Sequence, residues 1–203
     1  MTKQKSLFSI LVVFSIFLLA ACSQSAIEPA DAGIKTYCKA ILDIDDESTK
    51  KARLPKDELE KTMVSVFANA FQSSSNGMFN KEQSERIGNA FLDELKKIQV
   101  ETKLIEGKDK KATVEVTVNQ IDLKELNSAA IEKDVKDKGK NLKTKEEAIE
   151  EVTNATIEEI KKIEPKGNVS FTVDCTYSDI KKIWEPNDVS SFAKDLISTA
   201  VKM

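Results

Sequence analysis

The chain has 203 residues, a formal net charge of −3, three cysteines and no histidine. The missing histidine excludes Ser-His-Asp and Cys-His catalysis and imidazole metal ligation. The acidic balance argues against a nucleic-acid partner, which calls for a basic surface to neutralise phosphates.

The N-terminus reads as a secretory leader. Lys3 and Lys5 form a basic segment, Leu7 to Leu19 an apolar run broken only by Ser9 and Ser15, and Ala20 and Ala21 a small-residue end. The apolar run of about 13 residues suits a signal peptide and is short for a membrane span. Leu19-Ala20-Ala21-Cys22 resembles the bacterial lipobox. That resemblance implies cleavage between Ala21 and Cys22 and a diacylglyceryl group on the Cys22 sulfur, which would anchor the chain to the extracytoplasmic face of the cell membrane. Losing residues 1–21 removes two lysines and no acid, so the formal charge moves from −3 to −5. Within the leader, residues 15–21 resemble the heptapeptide pheromones that some Gram-positive cocci release from lipoprotein signal peptides. An alternative role follows, in which the chain is the precursor of a signal.

Residues 22–33 are expected to be the lipidated cysteine and a polar tether, with Pro29 and Gly33 discouraging early structure. One domain is expected over 34–203, long enough to build a real core. Ile34, Cys38, Ile41 and Leu42 recur at helical spacing, and Asp43 to Lys51 reads as a charged break. Pro55 opens a second helix whose inner face is Leu59, Met63, Val66, Phe67, Ala70 and Phe71. Asn80 caps a third, with Ile87, Phe91, Leu95 and Ile98 inward.

The period then falls to two. Val100 to Ile105 reads as a strand, Glu106 to Asp109 as a hairpin turn, and the next strand turns Val114, Val116 and Val118 to one face. A helical segment follows Asp122, then a lysine-rich break over 136–145. Thr144 and Glu147 form a capping-box pair that opens another helix, stopped by Pro165 and Gly167. Val169, Phe171, Val173, Cys175 and Tyr177 alternate as a strand, Ile180 to Trp184 pair with it, and Asp188 caps a last helix. Blocks of helices with antiparallel strands indicate the α+β class.

The lipobox, the Phe-rich N-terminal helices, the strand from Val114 to Asp122 running into a helix, and Lys182-Ile183-Trp184 near the end resemble a group of Gram-positive cell-surface lipoproteins. Their domain is similar to the nuclear transport factor 2-like or cystatin-like fold. The resemblance implies a curved antiparallel sheet packed with N-terminal and inserted helices, and a cone-shaped pocket. It brings no catalytic residues and no cofactor.

The aromatic residues Tyr37, Phe171, Tyr177 and Trp184 are the candidates for lining such a pocket. Cys38 and Cys175 both fall on apolar faces in a compartment that permits oxidation. A bridge between them would close a loop of about 137 residues and contribute roughly 4–5 kcal/mol in the chain-entropy account; the alternative is two separate buried thiols. No C-x-x-C motif, phosphate loop or calcium loop occurs, and neither a metal nor a cofactor is expected. Asp122 reads as a helix cap and Asp174 as a residue on the outer side of its strand. The expected function is therefore a non-enzymatic surface module, held to the membrane by its lipid, that binds a small apolar ligand or an envelope partner protein.

Overall fold

The computed structural model of the protein describes residues 27–139 and 144–202. The leader, the Ala21–Cys22 cleavage site, the lipidated cysteine and the pheromone-like segment 15–21 lie outside the described residues. Seven α-helices and five strands are described, in the order α1 (Ala30–Leu42), α2 (Asp46–Ala52), α3 (Lys56–Ser74), α4 (Lys81–Leu95), β1 (Val100–Lys108), β2 (Lys111–Asp122), α5 (Ser128–Gly139), α6 (Lys145–Ile160), β3 (Lys166–Ser178), β4 (Ile183–Pro186), α7 (Val189–Ala200) and β5 (Val201–Lys202). The chain is thus a mixed α+β fold on an open sheet. Strands β1 to β4 are antiparallel in sequence order, and β5 adds a short parallel pairing to the end of β2.

Alternation in β2 positions the core. Val114, Val116, Val118 and Ile121 are fully buried, while Thr113, Glu115 and Thr117 on the other face stay partly open. Each buried branched side chain contributes roughly 1.5–3 kcal/mol relative to exposure. Helices α1 and α7 pack on the sheet, and α4 packs against α3 and α6. Phe91 of α4 stacks on Phe67 and tilts against Phe71, both of α3, and one continuous apolar cluster joins these rings to the sheet. Helix α5 packs on α6, which makes the inserted hairpin an appendage to the α4 side.

Caps were readable from sequence. The side chain of Asn80 accepts from the Gln83 amide and Gln83 returns a bond to the Asn80 amide. Thr144 and Glu147 do the same at α6, and Asp188 caps α7.

Several expectations are corrected. The last residues of the stretch 22–33, expected to be tether, are helical instead: α1 begins at Ala30, and both Ala30 and Gly33 are buried. Gly33 is not a helix breaker here. Its missing side chain lets α1 close on β4, since a Cβ at that position would lie 2.7 Å from the Cβ of Trp184. The charged break over 43–51 contains α2, whose first turn is capped by the Asp45 side chain accepting from the Ser48 amide at 2.8 Å. Between α1 and α2, Ile44 takes a left-handed backbone with φ 51° while 3% exposed. A branched residue tolerates that conformation only where burial holds it. The hairpin turn falls at Asp109–Lys110 rather than 106–109, because β1 runs on to Lys108 past a bulge between Leu104 and Glu106. Val66, expected inside, is 53% exposed. Strand β4 begins at Ile183, leaving Ile180 in the preceding turn.

Candidate functional site

Three of the four candidate pocket aromatics come together where α1 meets β4. Tyr37 of α1 is buried, and its hydroxyl donates to Glu185 of β4 at 3.4 Å. Trp184 pairs across the ladder with Tyr177 of β3, their rings 5.7 Å apart and edge to face. The Trp184 indole N–H donates to the main-chain oxygen of Glu28 at 2.7 Å, so the polar tip of the ring is satisfied in a buried position. Burial first, then the Glu185 carboxylate beside it, push the Tyr37 phenol up to about 12. Phe171 is not part of this group. It packs on Phe192 of α7, ring centres 6.1 Å apart.

The arrangement is packed. The crevice bounded by Glu28, Gly33, Tyr37 and Trp184 has no room for a water-sized molecule. Side chains therefore fill the place where the pocket was expected. The roomier recesses are open ones. One of about 420 Å³ lies beside the β1–β2 hairpin, lined by Lys108, Lys111, Thr113, Asp174 and Asn187 among others.

Cys38 and Cys175 are both buried and both free, so the expected bridge is not formed. The Cys175 thiol donates to the main-chain oxygen of Ala112 on the neighbouring strand at 3.3 Å. Burial pushes the Cys38 thiol up to about 12. Burial and then the Asp174 charge take Cys175 to about 11. Neither thiol is a ready nucleophile at neutral pH.

The carboxylates singled out from sequence have structural partners. Asp122 accepts from the Lys124 amide and from Lys202, and these bonds lower its pKa. Asp174 accepts from the Thr113 hydroxyl at 2.8 Å. No group of three metal-ligating side chains occurs among the described residues. No helix among them is long and apolar enough to cross a membrane.

Sequence reasoning missed two features. One is the polar bridge between α4 and α6, where Glu150 accepts from Arg86 and Gln83, and Arg86 also donates to Asn154. The other is a basic end of the molecule. The segments 50–53, 108–111 and 179–182 converge there, since Arg53 donates to the main-chain oxygen of Lys181 and Lys110 pairs with Asp179. Each segment alone is an ordinary Lys-rich run, and only the fold sums them.

No protein-family model matches the chain, and no curated protein does. Among solved structures, it is similar to a candidate lipoprotein, YcdA, from Bacillus subtilis subsp. subtilis str. 168, with a TM-score of 0.67 at 20% sequence identity. The match covers 87% of this chain but 57% of that one. At that identity the likeness establishes a shared fold, over little more than half of the longer protein.

Proposed function

We propose that the chain is a lipoprotein, anchored through Cys22 on the extracytoplasmic face of the cell membrane, and that its domain is a non-enzymatic binding module for an envelope partner protein. The Leu19-Ala20-Ala21-Cys22 run behind a basic and apolar leader supports the anchor, and the shared fold with a candidate lipoprotein agrees with it. Helices laid against an antiparallel sheet are compatible with the nuclear transport factor 2-like or cystatin-like fold that the sequence resemblance implies.

One observation carries the choice of a protein partner over a small apolar ligand: the crevice between Tyr37 and Trp184 admits not even water. An apolar ligand needs an apolar hollow to enter. The outer sheet face, with Thr113, Thr117, Ser170 and Asp174, offers hydroxyls and charges suited to a wet, polar protein contact.

Two measurements test this. Metabolic labelling with palmitate should mark the wild type and not Cys22→Ala; equal labelling of both would remove the anchor. Native mass spectrometry of the purified protein should return the mass of the acylated chain alone. A non-covalent small-molecule excess that vanishes on denaturation would overturn the protein-partner reading in favour of a ligand.

A further inference from the structure

The basic end lies beside the point where the chain enters the domain. Glu28 is bonded to Trp184 of β4 through its main-chain oxygen and to Lys51 of α2 through its carboxylate at 2.6 Å. Ile180 lies four residues before Trp184, so their Cα atoms are at most about 14 Å apart. Ile180 is 88% exposed, far more than any other large apolar side chain of the described residues. It sits at the tip of the β3–β4 turn with Lys181 and Lys182 directly after it.

Charge around that tip runs against the whole chain. Segments 50–53, 108–111 and 179–182 hold eight Lys and Arg against two acids. Adding the nearby Glu28 and Glu185, which pair with Lys51 and Lys181, still leaves eight against four. The protein as a whole is −3. Lys50, Lys108, Lys111 and Lys182 have no ion-pair partner among the described residues, so their charge is available outward.

Distance to a membrane follows from the tether. Ile27, itself 51% exposed, comes five residues after Cys22. An extended chain spans at most about 18 Å over that interval. An acylated Cys22 would therefore hold Ile27, Glu28 and the basic end within a short reach of the headgroups. Lysines around an exposed apolar residue match an anionic interface, where alkyl stems and the apolar side chain enter the headgroup region and the ammonium groups meet lipid phosphates.

We propose that this end of the domain is a second membrane contact: Ile180 dips into the headgroup region of an anionic bilayer, the surrounding lysines hold it there, and the opposite end is presented outward. The inference rests on the anchoring reading. It assigns an orientation that the lipid alone would leave free.

The test uses full-length protein, exported, acylated and reconstituted into vesicles. Ile180→Trp adds a fluorophore at the tip, while the buried Trp184 supplies a constant background. In phosphatidylglycerol-containing vesicles, brominated lipid should quench the new indole. In pure phosphatidylcholine, or with Lys50→Gln, Lys111→Gln and Lys182→Asn combined, quenching should fall by roughly fivefold or more. Circular dichroism of each variant confirms folding. An acylated protein that shows no charge-dependent quenching overturns the membrane contact and leaves the anchor intact. A protein without the acyl mass removes the anchor and this inference with it. Tight binding to an anionic wall polymer, with the indole unquenched by lipid, would assign the basic end to that polymer and overturn the membrane contact.

Discussion

The indole N–H of Trp184 and the main-chain oxygen of Glu28 are 2.7 Å apart, which ties the last antiparallel strand to the residue that leads into the first helix. Gly33, one turn further along α1, permits this closure because a Cβ there would come within 2.7 Å of the Trp184 Cβ. That atom sits next to the backbone and cannot swing away as a flexible tip would. Gly33→Ala should therefore destabilise by about 1–3 kcal/mol, outweighing the gain of nearly 1 kcal/mol that Ala brings to a helix. Trp184→Phe keeps a ring and loses the bond, for about 1 kcal/mol. Urea denaturation measures both. A Gly33→Ala protein more stable than wild type would show that α1 can shift off β4 at little cost.

Three buried groups make the fold sensitive to alkali. Cys38 is raised from 9.0 to about 12, Cys175 from 9.0 to about 11 and Tyr37 from 10.0 to about 12. Each group binds its proton more tightly when folded, so the unfolded chain holds fewer protons in this range and stability falls as pH rises. The contribution is complete below about pH 9 and is lost progressively towards pH 12. Cys38→Ala should flatten the slope of stability against pH between 9 and 12, although it lowers stability at pH 7 through the lost packing. A slope unchanged by Cys38→Ala would mean that the thiol is not held protonated by burial.

Much of the fold was legible in the chain because periodicity and caps are local. Val114, Val116 and Val118 declared the buried face of β2, and Asn80 and Thr144 declared two helix starts through their capping partners. What was not legible depends on distant residues. Gly33 reads as a breaker until Trp184, some 150 residues later in the chain, is known to lie against it. Tyr37, Phe171, Tyr177 and Trp184 read alike as candidates for lining a pocket, yet which of these rings meet, and whether they line or fill a space, is a matter of packing, which spacing does not encode. The basic end was invisible because its three segments are far apart in sequence and join only through tertiary contacts.

The link between α4 and the inserted helices is weaker than its hydrogen bonds suggest. The Arg86 and Glu150 side chains are 38% and 44% exposed, so solvent screens the pair. Bonds to Arg86 and Gln83 hold the Glu150 carboxyl below its usual range, and its contribution fades as pH falls through that lowered value. A double-mutant cycle with Arg86→Ala and Glu150→Ala should give a coupling of about 0.5–1 kcal/mol that shrinks in high salt. A coupling that holds in high salt would mean the pair is more shielded from water than this geometry allows.

Aromatic residues separate by position rather than by type. Phe91 is 0% exposed and lies against the rings of Phe67 and Phe71, at 5.5 and 5.1 Å. Phe171 is partly exposed and meets Phe192 at 6.1 Å. Phe91→Ala should cost about 3–5 kcal/mol, because the cavity it leaves is walled by side chains from two helices and collapses poorly. Phe171→Ala should cost roughly half of that, since part of the ring already faces water. Both follow from chemical denaturation under identical conditions. Equal losses would place Phe171 in the core, and would revive it as a packing residue of the sheet's inner face on a par with Phe91.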